Sequence, residues 1–411
     1  MNDVIFTICA KNYLAQALSL KKSTLKHNKN IDFYIFLSDT VDGESLPSGI
    51  ILLDDSWVKD WILMAYKYDV VEFSTAVKPY AIRKLFQDGY QKVSYIDPDI
   101  FVTNKLDYVF DSLENYSAIL TPHRCTMMRN GELLDEHAII LNGIFNLGFF
   151  AVKNDSVGNS IINWWVEKLT SQCYLDLADG LAVDQKWMEF IPAYFPKDVL
   201  ISSNLGMNAA IWNIQERELS IGDDGEYIIS NKLNPNEKYE LLFWHFSGYS
   251  PINKDWLLKN NPQTAFDNYP CLAKLGTEYY NTLINNGFER YSKMRYGFNF
   301  YETGEVILPL HRRLYRHYED TFSKKGNPFS SDSDIYKQLQ RNHLLTKKGT
   351  IKQDPRRDMK SHKDPSSKKV VFMMLRLIES IVGINNYTKI IRAFRFLSVY
   401  ENHYFLINGK I

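Results

Sequence analysis

Apolar residues in this chain fall into short runs divided by amphipathic stretches. Val4 to Ala10 (VIFTICA) is a compact β-rich run, and the YLAQALSLKKSTLKH that follows repeats its apolar residues at helical spacing. IDFYIFLSD then supplies a second strand. This β-α-β opening predicts an α/β protein with a parallel, doubly wound sheet and right-handed crossovers. Ligands of such sheets bind beyond the carboxyl ends of the strands. TAVKPYAIRKLFQD, from Thr75 to Asp88, reads as a helix with Pro79 in its first turn, where proline is tolerated. A strand ending at Asp97 follows, and SAILTP, IFNLGFFAVKN and ELLFWHFSG are further strands. NSIINWWVEKLTSQ and GLAVDQKWMEFI read as helices.

From about Trp256 the strand pattern stops. The spacing predicts an α/β domain over residues 1–255, a mainly helical extension over 256–345, a polar basic linker over 346–368 and two amphipathic helices over 369–411.

Composition is that of an ordinary globular protein, 45% hydrophobic and 23% charged, and a chain of 411 residues has length for two or three domains. Aromatic residues are plentiful at 14%, and such rings suit stacking on sugars or nucleotides as well as core packing. Net charge is zero, yet residues 1–310 carry 27 basic and 39 acidic residues while residues 311–411 carry 21 and 9. A basic tail after an acidic body suits an anionic membrane or another polyanion, or neutralises its own body. Cys9, Cys125, Cys173 and Cys271 have no metal-type spacing and read as free thiols of a reducing compartment. MNDVIFTICAKNYL opens into a strand without a basic leader, and no apolar run approaches the ~20 residues that span a bilayer. The expectation is a cytoplasmic protein, with the inner face of the plasma membrane as a peripheral site for its tail.

KVSYIDPDIFV raises the first chemical question, because Asp97 and Asp99 flank one proline at a strand end. Residues i and i+2 of a strand share a side, so two carboxylates stand together and repel unless a cation lies between them. Hard divalent ions take such oxygen ligands. The alternative is a polar turn in which Pro98 stops the strand.

Four patterns occur in order: Asp97-Pro98-Asp99, FNLGFFAVKN with Asn146 and Gly148, LAVDQKWM with Asp184 and Gln185, and WHFSGYSP with His245 and Gly248. In that order they resemble the GT-A glycosyltransferases, in particular the glycogenin-like and lipopolysaccharide-galactosyltransferase-like group. The resemblance spans residues 1 to about 251, and YGFNFYETGEVILPLHRRLYR and NPF resemble an extension of bacterial polysaccharide transferases. It implies a GT-A (Rossmann-like) fold and transfer of a sugar from a nucleotide-diphosphate donor to a glycan or lipid-linked acceptor in surface polysaccharide synthesis, with retention. No nucleic acid is implied as a partner.

A divalent cation bridging the diphosphate would stabilise its departing charge. Asp97, Asp99 and His245 would hold it, and the imidazole favours Mn2+ (or Mg2+) over calcium; the resemblance assigns the same three positions. It sets Asn146, Asp184 and Gln185 at the sugar and the reacting carbon, and nucleotide contacts in the loop of Ala10, Lys11, Asn12 and Tyr13. Gly148 would leave room for the sugar ring, Gly248 would let backbone approach the phosphates, and Lys78 would contact phosphate. Four of these have a plainer alternative: Asn146 satisfying buried backbone, Asp184 capping a helix, Tyr13 in the core and His245 structural.

Two departures concern phosphate neutralisation. The group's H-F-x-G-x-x-K-P-W becomes HFSGYSPINKDW, leaving Lys254 or Lys78 as a substitute, and its arginine before D-x-D is replaced by Tyr80 with Arg83 nearby. A non-catalytic carbohydrate- or nucleotide-binding protein on the same fold is one competing reading. A nucleotidyltransferase is another, although CAKNYLAQ has no glycine for a phosphate loop.

Overall fold

The structure is a computed structural model, and it describes residues 3–41, 43, 45–127, 136–249, 251–252, 269–322, 326–346 and 365–407. The strands of the first half are β1 (Asp3–Cys9), β2 (Asp32–Leu37), β3 (Ile50–Leu52), β4 (Lys92–Ile96), β5 (Ile100–Val102), β6 (Ala118–Pro122) and β7 (Phe145–Lys153). Later come β8 (Leu175–Asp176), β9 (Leu181–Ala182), β10 (Val199–Ile201), β11 (Ala209–Ala210), β12 (Arg217–Ile221), β13 (Tyr227–Asn231), β14 (Asn234–Glu240) and β15 (Phe243–His245).

The central sheet has the order β10-β6-β7-β4-β1-β2-β3. Its strands are parallel except β7, which runs against both β4 and β6. β1 and β7 are buried almost throughout, which is why they read as continuous apolar runs and not as alternating ones. The predicted α/β class and parallel-dominated sheet are therefore present.

Two small sheets accompany the central one. β5 pairs antiparallel with β15, and β15 parallel with β11. β12, β13 and β14 form an antiparallel meander that the periodicity did not announce, since β14 is almost wholly exposed and polar. One predicted helix is also broken up. GLAVDQKWMEFI contains β9, the positive-φ residue Val183 and a short helix Gln185–Met188, and Pro192 opens the next helix, Ile191–Tyr194.

The chain divides into two compact units, Met1–Lys59 with Val71–Tyr296, and Asp60–Val70 with Gly297–Ile411. The expected boundary at 255/256 lies outside the described residues, as do Lys254 and the linker stretch 347–364. The division falls later because the helices Pro270–Asn285 and Phe288–Tyr291 bury Leu272, Leu275, Tyr279, Leu283, Phe288 and Tyr291 in the same core as β1, β2 and β15. Residues 60–70 join the second unit for a specific reason. Arg312, 2% exposed, donates to the carbonyls of Ala65 and Tyr68 (3.0 and 2.7 Å) at the end of the helix Trp61–Lys67, and to Phe298 (2.7 Å). A cation there satisfies carbonyls that the helix end leaves open. The C-terminal region is helical, with helices Pro365–Val382 and Ile384–Leu397. Among the described residues no helix is long and apolar enough to cross a membrane.

Candidate active site

Three segments meet at the carboxyl end of β4. The Asp97 N–H donates to the Gly148 carbonyl on β7 (2.7 Å), fixing the start of the Asp-Pro-Asp stretch. That stretch is a turn between β4 and β5, closed by the Ile100 N–H on the Asp97 carbonyl (3.1 Å), so strand alternation is not what brings the carboxylates together. β15 does the rest. Its last residue, His245, pairs in register with Ile100, and the Phe246 N–H bonds the Asp99 carbonyl (2.9 Å).

His245 Nε2 consequently lies 3.1 Å from Asp99 Oδ1 and 3.9 Å from Asp97 Oδ2. One ligand atom from each of the three residues falls within 4.8 Å of the others. Two carboxylates and an imidazole form a donor set suited to manganese or magnesium. Burial works against a charge on His245, but Asp99 and Asp97 outweigh it and raise its pKa. Asp97 also accepts from the Tyr95 hydroxyl.

Gly148 is crowded by the site itself. A Cβ there would lie 2.5 Å from His245 Cε1, 2.8 Å from Asn146 Oδ1 and 2.9 Å from Asp97 Oδ2. Any side chain at this position would collide with the residues of the site. Asn146, two residues back, is buried, accepts from the Gly148 N–H (3.1 Å) and directs Nδ2 at His123 Nε2 (3.2 Å).

Lys78 is buried beside the site. Its Nζ donates to the Leu147 carbonyl and to Asp184 Oδ2 (2.9 Å each) and lies 3.9 Å from Asp97 Oδ1. Burial opposes its charge, yet the two carboxylates outweigh burial and its pKa is raised. Asp184 is 1% exposed and forms no cap bond; burial outweighs Lys78 and pushes its carboxyl up to about 6. The adjacent Gln185 accepts weakly from the Leu147 N–H (3.3 Å) and donates to the Asn142 carbonyl (2.9 Å).

The loop after β1 opens at the same edge of the sheet, since β1 is the parallel neighbour of β4. Ala10 precedes one 3-10 turn, Lys11–Tyr13. The Lys11 backbone N–H donates to Asp39 Oδ2 (3.1 Å) and its ammonium to Thr40 (3.4 Å), so the lysine is buried against the end of β2. Asn12 Oδ1 is buried without a hydrogen-bond partner, and Tyr13 is 38% exposed. Gly248 follows His245 at a φ of +68°, a left-handed turn suited to glycine. Tyr80 and Arg83 are not at the site: the Tyr80 hydroxyl pairs with Thr170 (2.6 Å) and Arg83 lies over its ring.

Sequence reasoning missed Asp39, Tyr95, His123, Asn208 and Trp212. Trp212 packs edge-on against His245 and His123 (5.1 and 5.8 Å between ring centres). The available signal was a polar residue inside an apolar run, as in LGMNAAIW around Asn208.

No family model matches the chain. It is 24% identical over 276 residues to the uncharacterized protein YfnF of Bacillus subtilis, covering 65% of this chain and 88% of that protein. It is 25% identical over 169 residues to the uncharacterized YfnD of the same organism, 41% of this chain and 50% of that one. Among solved structures it is similar to the galactosyltransferase LgtC with donor and acceptor sugar analogues (17% identity, TM-score 0.39, 69% of this chain and 95% of that one). The glycosyltransferase GlyE of Streptococcus pneumoniae is another such neighbour (16%, 0.36, 74% and 67%). So is a glycosyltransferase involved in glycosylation of the major capsid of PBCV-1 (12%, 0.34, 60% and 94%).

Proposed function

We propose that this chain is a metal-dependent glycosyltransferase of GT-A type, moving a sugar from a nucleoside-diphosphate donor to a glycan or lipid-linked acceptor of a bacterial surface polysaccharide. The observation that carries the reading is the convergence of Asp97, Asp99 and His245 at the carboxyl ends of the parallel strands. Ligands of open α/β sheets bind there. A bound divalent cation supplies stabilisation of the diphosphate charge as the bond to the sugar breaks. Asp97, Asp99 and His245 would hold it, with Mn2+ favoured by the imidazole.

In this reading the loop of Ala10 to Tyr13 receives the nucleotide, with the unsatisfied Asn12 oxygen as a hydrogen-bond acceptor for it. Asn146 and Gln185 face the sugar. In the transfer the bond from the anomeric carbon to the diphosphate breaks, its electron pair leaves with the diphosphate, and the acceptor oxygen bonds to that carbon. Asp184 is a poor base for the acceptor hydroxyl, because it is buried and held by Lys78. In a retaining route the hydroxyl proton would pass to the leaving diphosphate on the same face, whereas an inverting route would need Asp179 or Glu189 as the base. The two terminal helices would rest on an anionic membrane near a lipid-linked acceptor.

The test is a panel of nucleoside-diphosphate sugars, with and without Mn2+, scored for hydrolysis and transfer. Turnover should vanish with chelator, return with Mn2+, and fall at least ~100-fold in Asp97→Asn and Asp99→Asn. Retained activity in either variant would reduce the Asp-Pro-Asp stretch to a turn.

A further inference from the structure

We propose that His123 and Asn208 are positioning residues of a one-way hydrogen-bond relay that sets the tautomer of His245 and the amide orientation of Asn146 together. This rests on the metal-site reading above, and joins the metal ligand to the sugar-facing amide as one unit.

The direction of the relay follows from its anchor. The Ile144 carbonyl only accepts, so His123 Nδ1, 3.3 Å away, carries the hydrogen and Nε2 is left to accept. Asn146 must then present Nδ2 to that nitrogen (3.2 Å), which turns its Oδ1 toward the Gly148 N–H (3.1 Å) and toward Asn208 (3.0 Å). Asn208 must in turn present Nδ2, shared with Thr121 (3.1 Å), and keeps Oδ1 for His245 Nδ1 at 3.3 Å. His245 therefore keeps a hydrogen on Nδ1, and Nε2, which faces the two aspartates at 3.1 and 3.9 Å, is the nitrogen that would exchange its proton for a cation. Reversing one amide would set donor against donor or acceptor against acceptor at the next link.

The chain also invests in holding Asn208 in place. Asn208 is 1% exposed at a φ of +48°, a left-handed backbone that asparagine tolerates better than most residues. Asn213, fully buried, donates through Nδ2 to the carbonyls of both Asn208 (3.0 Å) and His123 (3.1 Å), and accepts the Ala210 N–H (2.8 Å). One side chain thus clamps the backbones of both relay members. A histidine that ligates a metal typically donates its other ring N–H to such a partner, and losing the partner costs roughly 10–100-fold in metal affinity.

Two measurements test the relay. In the wild-type chain labelled with 15N-histidine, long-range 1H–15N NMR should show His123 as the Nδ1–H tautomer; an Nε2–H signal would overturn the relay without any variant. Mn2+ binding is then followed by electron paramagnetic resonance. Asn208→Gly deletes the amide while glycine accepts the positive φ, and should bind Mn2+ roughly 10–100-fold more weakly. Asn208→Asp keeps an acceptor for His245 but no donor for Asn146. It should retain Mn2+ and nucleoside-diphosphate affinity while turnover falls. Unchanged Mn2+ binding in Asn208→Gly, or unchanged turnover in Asn208→Asp, overturns the proposal. A wild-type chain that binds no Mn2+ overturns the metal reading and the relay with it, which separates the two failures.

Discussion

A methyl group at position 148 would meet an imidazole, an amide and a carboxylate at once, at 2.5, 2.8 and 2.9 Å. Interiors packed at native density do not yield that much space without displacing their neighbours. The three atoms it meets belong to His245, Asn146 and Asp97, so the displacement falls on the site itself. Gly148→Ala should therefore weaken Mn2+ binding and turnover by an order of magnitude or more while the melting temperature moves little. Isothermal titration beside a thermal melt distinguishes this from general destabilisation: wild-type affinity in a folded variant would contradict it. At this scale the chain displayed its candidate ligands and hid what supports them. Asp97, Asp99 and His245 stand in short recognisable settings, D-P-D and H-F-S-G. Asn208, Asn213 and His123 stand in none. Their roles come from folding segments about 90 residues apart against one another, as the 3.1 Å bond from Asn213 to the His123 carbonyl does, and periodicity carries no information about such pairings.

Lys78 opens the helix Lys78–Gln87, Asp184 precedes the helix Gln185–Met188, and Leu147 lies in β7. One ammonium ties all three elements, at 2.9 Å to the Asp184 carboxylate and 2.9 Å to the Leu147 carbonyl. Removing one partner of a buried pair leaves an uncompensated charge, at a cost of roughly 3–5 kcal/mol, whereas replacing both with apolar groups is often neutral. Lys78→Met should accordingly destabilise the fold by about that amount, and Lys78→Met with Asp184→Leu should recover much of it. Denaturant unfolding of the two singles and the double measures the coupling. Strictly additive effects would mean the pair does not bind these elements together. The helix itself was legible, because Pro79 marks its first turn and its apolar spacing is regular. The depth of Lys78 was not: a lysine in a first turn reads as exposed until its carboxylate partner, 106 positions later, is known.

Over the whole chain, charge and exposure point the same way. The excess of cations in residues 311–411 is matched by exposed apolar side chains on the helix Pro365–Val382 (Met373, Leu377, Ile381) and the helix Ile384–Leu397 (Ile384, Phe394). Arg376, Lys389 and Arg392 are exposed beside them. The competing alternative is that these helices pack as ordinary core, although these five side chains are 50–73% exposed. An apolar face flanked by cations suits an anionic bilayer surface, to which each basic residue adds roughly 1 kcal/mol. Cutting the chain before residue 369 would be a blunt test. The turn Tyr400–Leu406 stacks Tyr404 on His317 at 4.8 Å, and its loss would disturb the helix Pro309–His317. Charge variants avoid that. Lys389→Ala with Arg392→Ala removes about 2 kcal/mol of attraction, so partitioning onto phosphatidylglycerol vesicles should drop roughly 30-fold. Neutral phosphatidylcholine vesicles should bind weakly throughout, and added salt should erase much of the difference. If flotation with anionic vesicles is the same for wild type and the double variant, with both folded, the tail does not face a membrane through these cations. A concentration-dependent dimer seen by sedimentation in that case would give the exposed apolar face to a second copy of the chain.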